Sequence, residues 1–425
     1  NEREVRFEDT IESEGKTRRP DYSFWLDRER KFFLDAKAPS VNVEGGINPA
    51  FQVKSYAWSA NLPVAIVTDF EEFAIYDCST EPFKFDKPQK SRLKIIKYYE
   101  YEKRWDEIAS LFSKDAVLKG SLKSIPQPKG KKVDKALLED ISEWREKLAI
   151  NINKMNPNLN QKSLNHAVQM IIDRILFLRI CEDRSIEDYG RLKKLLEIDN
   201  VYPKLFELFE EADKRYNSGL FHFHAEEDRN NFDTITPSLK IEDKVLKDII
   251  QGLYYPDSPY VFSEIPAEIL GQVYEQFLGK VIRLDENHKV NIEFKPEVRK
   301  AGGVYYTPSY IVDYIVKNTV GKLLDGKIPK EASDLRILDP ACGSGSFLIG
   351  AYQYLLDWHL EWYKNNLVPL KNAGYKDTSK EVQECVPSPI EKLGKNARAK
   401  SKRIWERASV ATLPIEQRAG EWHLR

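Results

Sequence analysis

The stretch "LRILDPACGSGSFLIGAY" (335–352) constrains its region more than any other part of this 425-residue chain. An apolar-edged run from Leu335 to Leu338 ends at Asp339, a turn carries Gly343 and Gly345, and "FLIGAYQYLLDWHL" follows with helical character. Glycine reaches positive φ without steric penalty and lets a ligand come close to bare backbone. In open α/β sheets, ligands bind at the carboxyl ends of the strands, where such turns lie. The pattern predicts a short buried strand at 335–338, an open loop, and a helix.

A chain of 425 residues is too long for one ordinary core, and roughly two or three domains are expected. Hydrophobic residues at 41% with 31% charged residues fit a soluble globular protein. No run of about 18 apolar residues occurs, so neither a membrane span nor a membrane partner is expected. The opening "NEREVRFEDT" lacks both a signal peptide and an initiator Met, so Asn1 is not expected to be the natural start. A net charge of −1 is neutral on nucleic acid, since local patches outweigh the sum. The four cysteines (Cys78, Cys181, Cys342, Cys385) make no CxxC, and six scattered His give no zinc signature; free thiols in a cytoplasmic protein are expected.

Residues 1 to about 85 read as a small α/β module. "PDYSFWLD" and "KFFLDAKA" are strand-like around the turn "DRER", "PAFQVKSYAWSA" looks helical, and "PVAIVTD" and "FAIYD" form a second strand pair. Residues 114–135 hold seven Lys against two Asp, with Pro126, Pro128 and Gly130, and read as an exposed linker. From about 134 to 285 the pattern is helical. Leu164, Val168, Ile171, Ile175 and Leu178 fall at i+3/i+4 spacing on one broad apolar face, and "EILGQVYEQFLGKVI" makes another helix. In "GGVYYTPSYIVDYIV", Thr307 as cap with Pro308 at the first helical position starts a helix bearing Ile311, Val312, Ile315 and Val316. A basic stretch at 391–407 has seven Lys/Arg against two Glu, and the chain stops at "GEWHLR" without an obvious closing element. Both basic stretches read as solvated faces, with phosphate contact the alternative.

Folding the first ribbon near residue 28 brings Asp21 almost opposite Asp35, and strand alternation points Asp35 and Lys37 the same way. Two carboxylates and an ammonium then share one patch. That set suits phosphodiester hydrolysis. Carboxylates hold Mg²⁺, the metal activates water and offsets phosphoryl charge, and Lys stabilises the charge that develops. A solvated, salt-bridged ribbon is the alternative for the triplet alone. Against it, the apolar frame "FFLDAKAP" is a costly place for idle charges.

Pro20-Asp21 followed by Asp35-Ala36-Lys37 resembles the PD-(D/E)xK nuclease superfamily. Gln52 and Tyr56, at i+4 on one helical face, resemble the QxxxY helix of type I restriction subunits and RecB-like nucleases. The resemblance implies Asp21 and Asp35 as metal ligands, Lys37 as catalytic, Gln52 as assisting the metal site and Tyr56 as approaching DNA. An additional Glu on a preceding helix is common in that superfamily; Glu2, Glu4, Glu8, Glu12 and Glu14 are candidates by proximity only.

"DPACGSG" followed by Ser346-Phe347-Leu348 resembles the first S-adenosylmethionine motif of amino-methyltransferases acting on DNA adenine N6 or cytosine N4. The preceding "YYTP" resembles the family motif that folds over the cofactor. By that resemblance Tyr306, Thr307, Pro308, Asp339, Pro340, Ala341, Cys342, Gly343, Ser344, Gly345 and Phe347 would bind S-adenosylmethionine, with Asp339 near its amino group. The motif order is similar to the gamma arrangement. The "(N/D)PP(Y/F)" segment that holds the flipped base is absent after residue 345, and "CVPSPIE" lacks its aromatic. No acidic residue stands out for the cofactor ribose, and the chain is expected to end inside the methyltransferase domain.

Together these motifs resemble type IIG restriction–modification enzymes. The expected fold is multidomain α/β: a PD-(D/E)xK nuclease domain at 1–115, a basic linker at 116–135, a helical connector at 136–298 and a partial Rossmann-like methyltransferase domain at 299–425. The implied function is Mg²⁺-dependent cleavage of double-stranded DNA joined to site-specific adenine-N6 methylation, the latter incomplete in this chain. Transient self-association for double-strand cleavage fits the same reading. Two alternatives stay open: a methyltransferase whose nuclease module is degenerate and structural, and a cofactor-binding fragment without turnover.

Overall fold

The computed structural model describes residues 5–7, 19–26, 29–125, 131–216, 218–225, 232–296, 298, 307–343, 345–374, 415–418 and 421–424. Contacts divide it into two units, 1–305 and 306–425.

The first unit opens with a six-stranded sheet in sequential order: β1 (Val5–Phe7), β2 (Tyr22–Leu26), β3 (Glu29–Ala36), β4 (Val64–Thr68), β5 (Glu72–Asp77) and β6 (Arg92–Lys97). Only β3 and β4 run parallel, and α1 (Ile47–Ser59) makes the crossover that a parallel pair requires. Side chains alternate faces along each strand. Phe33, Ala65, Val67, Ala74 and Tyr76 therefore pack toward α1, in one core. Phe32, Val64, Ile66 and Ile75 face the other way, into a second core.

That second core corrects the linker expectation. Residues 114–125 form α3 (Lys114–Leu118) and a 3₁₀ turn (Ser121–Ser124), following α2 (Tyr101–Phe112). Val117, Leu122 and Ile125 are buried against the sheet. The lysines mask three apolar residues at spacings that return to one face. Residues 126–130 lie outside the described residues, as does the basic stretch 391–407.

The helical region comprises α4 (Val133–Met155), α5 (Gln161–Asp183), α6 (Val201–Tyr216), α7 (Asp243–Gln251) and α8 (Ala267–Leu278). All five residues expected on the α5 apolar face are buried in its core. The expected helix through Ile282 ends earlier. Gly279 caps α8, and the β-branched pair Val281-Ile282 enters a hairpin, β7 (Lys280–Leu284) with β8 (Val290–Phe294).

Helix α1 serves both regions. Trp58 belongs to the helical-region core, and its indole N–H donates to the Lys131 carbonyl at 3.0 Å. Ser59 Oγ accepts from the Val261 amide at 3.0 Å, and Phe51 stacks on Tyr255 at 5.2 Å between centroids. Arg30 of β3 pairs with buried Glu264 at 2.5 Å.

In the second unit, the helix Ser309–Val316 continues through a π-turn to Leu324 and packs on the long helix Ser346–Asn372. A Cβ at Gly350 would meet Val312 Cγ1 at 2.6 Å, so glycine there sets how closely the helices approach. Two expectations fail. Pro308, not Thr307, occupies the N-cap, with extended backbone (φ −57, ψ 144) and no side-chain cap bond. Residues 335–338 form no strand: none of the described strands pairs with them, and Leu338 stands 85% exposed. A strand needs a neighbour to take its backbone hydrogen bonds. Among the described residues no helix is long and apolar enough to cross a membrane.

Candidate nuclease and cofactor sites

Register explains why the first site assembles. Tyr22 pairs with Leu34, so continuing the ladder sets Asp21 opposite Asp35. Asp21 Oδ2 accepts from the Ala36 amide at 2.7 Å, tying the approach to β2 onto the end of β3. On the other side, the Lys37 amide donates to the Thr68 carbonyl at 2.7 Å, extending the β3–β4 pairing past Ala36. Asp35 shares the face of Phe33, toward α1, and α1 supplies Gln52 from the facing side.

Lys37 is the hub. Its ammonium donates to Gln52 Oε1 at 3.1 Å and lies 2.5 Å from Asp35 Oδ2. The contact to Asp35 is a close ion pair on a buried carboxylate oxygen. Gln52 Nε2 in turn donates to Tyr56 Oη at 2.5 Å, one helical turn along. Asp35 is only 2% exposed, and burial pushes its carboxyl up to about 6; Lys37 opposes the rise and Asp21 adds to it.

Asp21, Asp35, Lys37 and Gln52 thus meet as the sequence pattern suggests. Tyr56 differs: it is 0% exposed and orients Gln52, leaving it no surface with which to approach DNA. Residues on every side of α1 are buried, so the helix is covered all round rather than along one face. The five Glu candidates lie outside the described residues, and Val5–Phe7 between them is a strand paired with β2 rather than a helix. The Thr68 carbonyl has no signal in sequence, because backbone contributions leave no mark on residue type.

The donor set suits a hard cation. Two carboxylates, one of them buried, match Mg²⁺, which takes one or two carboxylates and keeps several waters. No group of three His, Cys, Asp or Glu side chains forms a metal site among the described residues, which is not the arrangement of a structural zinc.

The glycine loop is of another kind. Gly343 (φ +54) and Gly345 (φ +79) take the positive values the pattern requires. A Cβ at Gly345 would meet nothing, so backbone conformation rather than space calls for glycine there. The Gly345 amide donates to the Cys342 carbonyl at 2.7 Å, and Asp339 Oδ1 accepts from the Ala341 amide at 3.1 Å. Pro340, Ala341 and Cys342 are exposed, and Asp339 is half-buried. Phe347 is half-buried and packs against the core that the two helices form. Tyr306 and Ser344 lie outside the described residues.

The N-6 DNA Methylase family matches residues 266–368. The type II restriction enzyme and methyltransferase RM.Eco57I of Escherichia coli is 36% identical over 373 residues, covering 86% of this chain and 36% of that protein. A putative type II restriction enzyme and methyltransferase of Methanocaldococcus jannaschii, RM.MjaORFECS2P, is 25% identical over 324 residues, 58% of this chain and 26% of that protein. The crystal structure of the type IIG restriction endonuclease BpuSI aligns with 82% of this chain and 34% of its own, at 14% identity and a TM-score of 0.27. The chain spans 36% and 26% of the length of these two curated relatives, well short of either whole protein.

Proposed function

We propose that this chain, which belongs to the type IIG restriction–modification family, cuts double-stranded DNA at Asp21, Asp35 and Lys37 and contributes the cofactor loop of an adenine-N6 methyltransferase. Residues 1–115 would be the nuclease domain and 136–298 the connector. From 299 onward the chain would form the first part of the methyltransferase domain, whose base-binding segment is not found in it. The observation that carries the nuclease reading is Lys37 held between a buried carboxylate and Gln52. A salt-bridged surface ribbon has no reason to bury Asp35 at that cost.

Asp21 and Asp35 would hold Mg²⁺, which supplies positive charge against the phosphoryl oxygens. The chain's own residues do the rest. Gln52 fixes the direction of the Lys37 ammonium, and Tyr56 fixes Gln52. Lys37 then donates to the attacking water or to the oxygen on which charge accumulates. On the methyltransferase side, exposed backbone from Ala341 to Gly345 would receive the methionine part of S-adenosylmethionine, with Asp339 near its ammonium. Double-stranded DNA is the substrate class for both.

The test is plasmid cleavage in Mg²⁺, with and without S-adenosylmethionine, by the protein and its Lys37→Ala variant. Loss of cutting in the variant is expected. Equal cutting by both would sink the nuclease assignment. S-adenosylmethionine binding retained by a protein that never cuts would leave a cofactor-binding module beside a structural nuclease fold.

A further inference from the structure

The turn joining β4 to β5 carries a conformation that needs a reason. Phe70 has φ +77, a region that bulky L-residues almost never occupy, and its side chain is 84% exposed. Strain of this kind persists only where the surroundings over-determine it. They do here. Thr68 Oγ1 donates to the Glu72 carbonyl at 2.7 Å, Asp69 Oδ1 accepts from the Glu72 amide at 2.7 Å, and Tyr101 Oη donates to the Phe70 carbonyl at 3.0 Å. Three bonds hold the backbone so that an apolar ring faces solvent. A scattered exposed Phe needs no explanation; one fixed outward at a backbone cost does.

Its place supplies the reason. Thr68, two residues before Phe70, is the residue whose carbonyl receives the Lys37 amide. The carboxyl ends of β3 and β4 coincide, and β6 ends beside them, where the Tyr98 amide donates to the Glu71 carbonyl at 2.9 Å. Tyr98 and Tyr99 are exposed there too. Asp35 and Lys37 thus share one sheet edge with a rim of outward aromatics. Glu71, exposed next to Phe70, disfavours a phosphate directly at that point.

We infer that Phe70 is a wedge that inserts between base steps of the duplex whose phosphodiester lies at Asp21, Asp35 and Lys37. Apolar side chains used this way unstack a step and hold the DNA bent. The inference rests on the nuclease reading above and adds to it the group that seats the duplex.

The experiment measures plasmid nicking in Mg²⁺ against DNA concentration and salt for the protein and for Phe70→Ala, Phe70→Gly, Phe70→Trp and Lys37→Ala. Phe70→Ala and Phe70→Gly should raise the half-saturating DNA concentration about tenfold, the scale of one lost stacking contact. The slope against log salt should not move, since no cation leaves the interface. Phe70→Trp should restore binding. Phe70→Gly, free of the backbone strain, should melt no lower than the parent. Parent-like DNA dependence in Phe70→Ala and Phe70→Gly, with Lys37→Ala inactive, overturns the wedge and leaves the nuclease reading standing. A lower melting point in Phe70→Gly together with the DNA defect assigns Phe70 to folding and also overturns it. Undiminished nicking by Lys37→Ala removes the nuclease reading, and the wedge with it.

Discussion

The Asp35–Lys37 patch and the Asp339–Gly345 loop both sit where a chain leaves the end of a strand or a strand-like run, yet they reach opposite states. The first is closed: Asp35 is buried, Lys37 has a partner on either side, and parallel β4 runs alongside. The second is open: the loop has its glycine conformations, but Leu338 before it is exposed and the run makes no ladder. A site whose chemistry lies in side chains needs its whole scaffold around it. A site whose chemistry lies in backbone conformation needs only the turn.

Substitutions sharpen that contrast. Lys37→Ala should reduce plasmid nicking by at least about 100-fold, the scale of losing one preorganised charge-stabilising group, while cofactor binding, read by calorimetry with S-adenosylmethionine, stays unaltered. Weakened cofactor binding in the same variant would mean the two sites are not independent.

Asp35 offers a test in pH. Its folded-state carboxyl is raised to about 6 from 3.8, so the fold prefers it protonated. That contribution is present below about pH 4 and is lost as pH rises through 6, a change of at most about 3 kcal/mol. Urea unfolding in chelator at pH 4 and pH 7 should show the protein losing this stability and Asp35→Asn not losing it. A variant with the parent's slope would place the burial cost elsewhere.

Gly350→Val addresses the second region. A Cβ at this position would already stand 2.6 Å from Val312 Cγ1, so the added methyls should cost the helix pair about 1–3 kcal/mol. Limited proteolysis should then cut faster in residues 309–372 while Mg²⁺-dependent nicking survives. The smallest effect belongs to Glu107, held down to about 2 chiefly by Arg104 and also by Lys94, on the exposed flank of the sheet. Stability from such a depressed carboxyl is present above its ordinary value of 4.5 and lost as pH falls through about 2. Solvent screening limits Glu107→Gln to a few tenths of a kcal/mol near neutral pH. A loss above about 1 kcal/mol in thermal melts would show that this flank is less exposed than it looks.

Much of the first site is legible in sequence. Alternation places Asp35 and Lys37 together, and i+4 spacing places Gln52 by Tyr56. Burial is not legible: Tyr56 reads as a surface residue until the helical region is seen to cover α1. The linker expectation fails because seven lysines dominate a window in which Val117, Leu122 and Ile125 do the packing. The strand expected at 335–338 fails because composition reports a preference for pairing, whereas a strand exists only with a partner. Phe70 leaves no signal at all, since φ is not written in residue type.

Helix α1 gives one face to the Lys37 site and lends Trp58 to the core of the helical region. Residues 1–125 are therefore not a detachable cartridge. A chimera that grafts residues 1–125 onto a foreign DNA-reading protein would strip the cover from Trp58 and Phe51, leave Arg30 without Glu264, and loosen the helix that aims Gln52. Exchange between relatives should succeed only when the seam falls beyond Glu264, so that the six-stranded sheet and the helices that cover α1 are inherited together.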